Sequence, residues 1–420
     1  LVILPLSGQG SLEANRIAIK FGAHSRMRQN VFLRSWYFGI TAFLVMAFYW
    51  GGLIYFPYFF KQAGISDSRI GLLVSIVSLT NLILVVPIGI LLDRFSPKFL
   101  FIVGGIVGAI FSMLFIFHPL PEWYELYFFI FGVAVSLLSI SNTALFLKQM
   151  GDVGPGSQSA VYNIGDVLGA GIGSEIGGRL ILYFGPESVF WMLLVIAGLL
   201  FVSGIGLPGI RGVAFHISEY KDDLKHPVSW ILIFIVLVAA SHAGFEHAGY
   251  ILLQTEVIGL KPATVGRLFL YISFAMALWT YIAGRISDRW KKQVLVSGLA
   301  LILSGIFQAW SGYGKGFLDF LILRILHVIG DSTFALLILV IASLVFSKKR
   351  AGGSWAFLTM VRCASIFLSA NIAGFINQRY GFSRSFLLSG IVMIIAGLIV
   401  IFVLRPRFRK EIKSVDKFSA

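Results

Sequence analysis

The sequence predicts an all-α membrane protein of twelve transmembrane helices arranged as two pseudo-symmetric six-helix bundles, and three observations carry that prediction. The chain is 58% hydrophobic and 13% charged, with a mean hydropathy of +0.89, whereas soluble proteins carry about a quarter charged residues. Its apolar residues fall into twelve runs, each close to the roughly 20 residues a helix needs to cross a bilayer. Short motifs of the first six runs return in the last six at an offset of 195 or 196 positions.

Residues 1–35 are expected to form a cytoplasmic N-terminal segment. The chain starts at Leu1 and its first methionine is Met27, so residues 1–26 are read as an upstream or non-native extension. No cleavable signal peptide is read; the first span doubles as the insertion signal. Spans are expected at 36–60, 69–92, 98–118, 124–147, 159–182 and 188–208, which together form an N-terminal bundle over 36–208. A polar cytoplasmic linker, 209–228, carries Arg211, Lys221, Asp222, Asp223 and Lys225. Further spans follow at 229–254, 264–286, 293–312, 318–346, 352–378 and 383–404, a C-terminal bundle over 229–404, before a basic tail at 405–420. Twelve spans with short loops consume the 420 residues and leave no room for a sizeable soluble domain.

The net charge of +15 is not a nucleic-acid footprint, because the charges cluster at the ends of apolar runs. Lys and Arg stay on the cytoplasmic side of a membrane protein. Arg26, Arg28, Arg34, Arg94, Lys98, Lys148, the linker, Arg289, Lys291, Lys292, Lys348, Lys349, Arg350 and the tail mark one side. The other side is thinner, with Lys61, Arg69, Lys261, Arg267, Lys315, Arg379 and Arg384. Both termini are therefore expected in the cytoplasm, which requires an even number of spans. The single Cys363 excludes a disulfide framework or a Cys-based metal site.

The internal repeat is specific. Gly89-Ile-Leu-Leu-Asp93-Arg94 closes the second run, and Gly284-Arg-Ile-Ser-Asp288-Arg289 closes the eighth, 195 later. Gly178, Gly185 and Phe190 return as Gly374, Gly381 and Phe386, each 196 later. Duplicated halves related by an axis along the membrane normal are a transporter signature.

These residues name a family. Gly89-Ile-Leu91-Leu-Asp93-Arg94-Phe-Ser96-Pro97-Lys98 resembles the G-x-L-x-D-R-x-G-R-K loop of the major facilitator superfamily, with Ser96 and Pro97 departing from it. The copy at Gly284, Asp288 and Arg289 is looser, and Lys292 supplies its positive charge. Arg324-Ile-Leu326-His-Val-Ile-Gly330 resembles the family's R-x-L-x-G-x-G pattern with one glycine lost. The resemblance spans 36–404 and implies two halves that rock about a central site. It also implies a conformational latch at Gly89, Asp93, Arg94, Lys98, Gly284, Asp288 and Arg289, for which a topology marker is the simpler alternative. A glycine at a helix end lets another helix come close.

Ionisable groups at membrane depth cost about 2.5–3.5 kcal/mol on insertion scales, so they face a cavity or a partner. The seventh span places His242, Glu246 and Tyr250 at i, i+4 and i+8, with Gln254 continuing the stripe and His247 one position off. The tenth places Arg324, His327 and Asp331 at i, i+3 and i+7. In the family the first, fourth, seventh and tenth helices line the cavity, so these stripes are expected to face each other there. The residue types suit a proton relay or fixed ion pairs; a structural network between the two helices is the plainer reading.

The fifth span holds Gly165, Gly169, Gly171, Gly173, Gly177 and Gly178. It resembles the family's antiporter motif G-x-x-x-G-P-x-x-G-G, with Ser174 in place of proline. Close packing between halves explains the glycines; Glu175 remains a candidate coupling carboxylate. Asp166 and Arg362, 196 apart, are expected to form a gate pair or a permanent bridge. Tyr49 and Trp50 sit mid-span and can wall a substrate site, with Ser141, Asn142 and Thr143 offering hydrogen bonds, although packing explains any one of them. The remaining aromatics near the ends of the first span are interfacial anchors.

No catalytic constellation is present. There is no Gly-Lys-Ser/Thr phosphate loop, so ATP-driven transport has no support. His242 and His247 are five apart without an H-E-x-x-H pattern, so a zinc protease has no support, and no metal is expected. The sequence therefore predicts a cofactor-free, non-enzymatic secondary transporter in the plasma (cell inner) membrane. Its partners are a small-molecule substrate, protons and lipids, and it acts as a monomer by alternating access. The glycine-rich fifth span leans towards efflux by antiport. Proton-coupled uptake of an organic anion or other small metabolite is the alternative, and a non-transporting sensor or scaffold is the rival from another class.

Overall fold

A computed structural model describes residues 36–149, 155–209, 227–290, 292–345, 351–407 and 409–410. Among them every regular element is helical, and twelve helices are long and apolar enough to cross a membrane. In chain order these are α1 (Trp36–Gln62), α2 (Asp67–Arg94), α3 (Pro97–Phe117), α4 (Tyr124–Gln149), α5 (Pro155–Phe184) and α6 (Ser188–Gly206). The second set is α7 (Pro227–Leu252), α8 (Pro262–Trp290), α9 (Gln293–Ser311), α10 (Phe317–Val345), α11 (Ala351–Tyr380) and α12 (Phe382–Ile399). The expected N-terminal segment, most of the linker and most of the tail lie outside the described residues, as do the side chains of Gly89, Asp93, Arg94, Gly284, Asp288 and Arg289.

Several helices run past their apolar cores because local chemistry caps them there. α2 starts at Asp67, two residues before its apolar run, with the Ser66 hydroxyl accepting from the Arg69 N–H at 3.4 Å. Pro97 opens α3, and Pro155, Pro227 and Pro262 open α5, α7 and α8, where a missing N–H costs nothing. α1 is not continuous: it breaks at Ile54–Tyr55 and resumes at Phe56–Gln62 with Pro57 in its first turn. α7 ends in a π turn, Leu253–Val257, and α12 in another, Val400–Leu404.

Four glycines hold positive φ among the described residues: Gly64 (77°), Gly185 (89°), Gly259 (78°) and Gly381 (84°). They form two pairs, 195 and 196 apart, and end α1, α5, α7 and α11 at the same places in the two halves. The repeat is thus written in backbone conformation, where only glycine is comfortable.

The halves differ in their cores. In the first, Phe48, Phe56, Phe111, Phe115, Phe128, Phe131 and Phe190 interlock between α1, α3, α4 and α6; Phe115 and Phe190 stack at 4.3 Å. The second core is mainly aliphatic, built from Ile231, Leu232, Ile235, Leu301, Ile341 and neighbours.

The halves meet along α5 with α8 and α2 with α11. Gly71 lies against Ala370 and Gly374, Gly171 against Ser273, and Gly178 against Pro262 and Ala263. Hydrogen bonds join Asn371 Nδ2 to Ser75 Oγ at 2.8 Å and the Ser68 N–H to Gln378 Oε1 at 3.3 Å. Apart from the Gly171 contact near the middle of α5, these lie towards one end of the bundle, where residues 62–67, 184–188, 257–262 and 380–382 turn.

The α5 glycines divide between two neighbours, which corrects their assignment to the interface alone. Gly165, Gly169, Gly173 and Gly177, spaced by four, lie against Gly39, Phe43, Ala47 and Tyr55 of α1. Gly171 and Gly178 face α8. Gly171 stands two positions from both Gly169 and Gly173, which in a helix of 3.6 residues per turn brings it to the opposite side, so α5 packs tightly on both sides.

Candidate transport site between the halves

The stripes on α7 and α10 meet. Arg324 is 4% exposed, and its Nη2 lies 2.5 Å from Glu246 Oε1. Its Nη1 donates to Gln308 Oε1 of α9 at 2.7 Å, and the guanidinium stands over the Tyr250 ring, 5.1 Å from the centroid. One buried cation is thereby held by an ion pair, a neutral acceptor and a ring face. The planar fork of Arg satisfies these at once, which a Lys ammonium does not.

The histidines form a second layer. His242 Nε2 lies 3.3 Å from Asp331 Oδ1, and His327 Nε2 lies 3.8 Å from Glu246 Oε1. Their other nitrogens contact backbone carbonyls: His242 Nδ1 to Ala239 O at 2.5 Å, and His327 Nδ1 to Ser304 O at 3.0 Å, with Ser304 Oγ at 2.9 Å. A carbonyl only accepts, so each Nδ1 carries the hydrogen. Each Nε2 therefore faces a carboxylate oxygen either bare, which sets lone pair against lone pair, or protonated.

Beside this cluster lies a small internal cavity of about 10 Å³, room for roughly one water. Trp50, Leu53 and Ile54 line it from α1, Glu246, His247 and Tyr250 from α7, and Phe269 from α8. Trp50 meets His247 at 5.1 Å and Phe269 at 5.6 Å between ring centroids. Tyr49 stacks on Phe131 within its own half and touches His247 across the interface, at 6.5 and 6.4 Å. Glu246 is the acidic member of this aromatic wall.

Other expected site residues sit elsewhere. Asn142 accepts from Thr41 Oγ1 at 2.8 Å and donates to Tyr162 OH at 3.4 Å, so it ties α1, α4 and α5 together inside the first half. Glu175 is buried and paired with Arg179 Nη2, one turn along, at 2.6 Å, with Arg267 Nε of α8 at 3.9 Å. It therefore lies at the closed end of the α5–α8 seam, apart from the α7–α10 cluster. Asp166 and Arg362 form no ion pair with each other in this structure. Asp166 Oδ1 is buried without a hydrogen-bond partner, and Arg362 is exposed, its charge reaching Tyr49, His247 and Asp331. Of the latch residues, Lys98 is described, and its Nζ donates to the Ile205 carbonyl at the end of α6 at 2.6 Å.

Sequence reasoning passed over Gln308 and Ser304 on α9, Arg179 and Arg267 around Glu175, and Phe269. Gln308 and Ser304 had a usable signal, two polar side chains one turn apart within an apolar span. Phe269 had none, since an aromatic residue in such a helix is ordinary.

Comparison with known proteins places this arrangement. The profile described as Major Facilitator Superfamily matches residues 38–314 and 230–419. An uncharacterized MFS-type transporter of Methanocaldococcus jannaschii is 21% identical over 355 residues, covering 81% of this chain and 90% of that protein. Multidrug resistance protein 2 of Bacillus subtilis is 24% identical over 283 residues, covering 63% of this chain and 69% of that protein. Among solved structures, the nucleoside transporter NupG superposes with a TM-score of 0.69 at 16% identity, covering 87% of this chain and 98% of that one. Twelve membrane-spanning helices, motifs repeated in both halves and a profile match over most of the length converge: the chain belongs to the major facilitator superfamily and is an integral membrane transporter, not an enzyme.

Proposed function

We propose that the chain moves a small organic solute across the membrane by alternating access, coupled to protons, with a lean towards export by antiport. The observation that carries this reading is the buried α7–α10 cluster, where two imidazole nitrogens face two carboxylates beside the aromatic-walled cavity. Counting Glu246 and Asp331 against Arg324, neutral imidazoles leave one net negative charge, which a single proton cancels. Protonation and solute binding then bias one two-state equilibrium, each by its differential affinity for the two states. The rocking units are the bundles 36–208 and 229–404, joined by the 209–228 linker.

The distribution of Lys and Arg supports cytoplasmic termini, and a plasma membrane is the proposed location. With that orientation the closed end is external and this conformation faces the cytoplasm. The chain is proposed to act as a monomer surrounded by lipid. The lean to export rests on the α5 glycine motif and on resemblance to a multidrug-resistance protein. Uptake of an organic anion is the second reading, favoured by the exposed Arg362, whose charge reaches into the same region.

The test is solute transport in liposomes under an imposed pH gradient, comparing wild type with Glu246→Gln and Glu175→Gln. The proposal expects one solute to move with the gradient and Glu246→Gln to uncouple it. Glu175→Gln should alter rate through the α5–α8 seam while keeping the coupling. Transport indifferent to pH in wild type and both variants would sink the proton reading.

A further inference from the structure

We infer that His242, Glu246 and His327, with Asp331 behind them, form a binding site for a divalent first-row transition-metal cation. One donor atom from each of the first three lies within 4.8 Å of the others, and Asp331 Oδ1 adds a fourth donor 3.3 Å from His242 Nε2. Two imidazoles and one or two carboxylates make a donor set suited to Zn²⁺, Co²⁺ or Ni²⁺.

Three features prepare the site beyond the proximity of its residues. First, each histidine donates Nδ1–H to a backbone carbonyl, Ala239 or Ser304, the outer arrangement that fixes a ligating imidazole and presents a bare Nε2. Second, His327 Nε2 is buried and has no hydrogen-bond partner, although it points at Glu246. Third, Arg324 holds Glu246 and is itself held by Gln308, so a carboxylate shared with a cation keeps a second donor. Tetrahedral ligands at about 2.0 Å from a metal stand about 3.3 Å apart. The widest pair must therefore close by about 1.5 Å, a side-chain adjustment.

The cation would occupy the position a proton takes in the transport cycle and would clamp α7 to α10 within one half. This inference stands apart from proton coupling, because binding needs neither a gradient nor a solute.

The test uses the purified, chelator-stripped full chain. Zinc retained after gel filtration is counted by elemental analysis, and Co²⁺ is added in place of zinc for its visible absorption. Wild type is expected to retain one zinc per chain and to give the intense Co²⁺ bands of a low-symmetry nitrogen–oxygen site. His327→Gln and His242→Gln should weaken binding at least tenfold, whereas Ser304→Ala should change it little, because the Ser304 backbone carbonyl that accepts from His327 Nδ1 remains. His118→Gln, in an exposed turn far along the chain, should change nothing. Absence of Co²⁺ bands in wild type overturns the site, and this readout needs no variant to fold. Zinc retained equally by every folded variant overturns it as well. Proton-coupled transport measured in chelator separates the two ideas: coupling without zinc binding removes only the metal site, and zinc binding without coupling removes only the transport reading.

Discussion

At the scale of single residues, the energetics centre on Arg324. It is buried, and its charge is offset chiefly by Glu246 at 2.5 Å. Glu246→Gln leaves that charge without its counter-ion, and breaking a buried pair from one side costs about 3–5 kcal/mol. Thermal unfolding of the purified variant is expected to show that loss. The double variant Glu246→Gln with Arg324→Gln should recover much of it, because no lone charge remains; a double variant as unstable as the sum of the two singles would refute the pairing. Arg324→Lys is expected to lower both stability and transport, since one ammonium cannot reach Glu246, Gln308 and the Tyr250 face together.

At the scale of helices, the closest approach between halves is made by backbone. A Cβ on Gly71 would sit 2.6 Å from the Ala370 carbonyl oxygen and 2.8 Å from Gly374 Cα. Gly71→Val or Gly374→Val should therefore hold α2 away from α11, leaving the folded protein biased towards the opposite conformation. Thiol labelling of a cysteine placed at Ser75 should rise severalfold in either variant; unchanged labelling would mean that the seam does not close by this contact. The glycine stripe facing α1 predicts another outcome. Substituting Gly169 or Gly173 damages folding of the first half rather than the exchange between states, because their neighbours, Phe43 and Ala47, belong to the same half.

The whole molecule is closed at one end by contacts between helices from different halves. Cys363 is buried and is the only cysteine, so Cys363→Ser supplies a clean background. In it, Ser68→Cys with Gln378→Cys should be joined by a short, reducible bifunctional thiol reagent, because the Gln378 side chain already reaches the Ser68 N–H at 3.3 Å. The cross-link is expected to stop transport, and reduction to restore it. Transport that continues undiminished in the cross-linked protein would exclude rocking of the halves about this seam.

Much of this was legible in the order of residues. Span number, short connections and the duplication follow from bilayer thickness and a constant offset, which do not depend on how helices pack. The stripes His242–Glu246–Tyr250 and Arg324–His327–Asp331 were legible because helical period puts i, i+3, i+4 and i+7 on one side. The same reasoning placed Asn142 at the cavity, whereas Thr41 and Tyr162 claim it. It joined Asp166 to Arg362 by symmetry, whereas this conformation leaves them apart. Period reveals which residues share a face and says nothing of what that face meets.

The sequence by itself determined the class, the twelve spans, the repeat and the two polar stripes, because hydrophobic length, charge asymmetry and helical period are local properties. Only the tertiary structure decided that Gln308 and Ser304 complete the cluster, that Glu175 is held by Arg179 beside Arg267, and that the α5 glycines serve two neighbours. Those facts depend on each helix's rotation and depth against its neighbours, and these are set by side chains far apart in the chain packing at once.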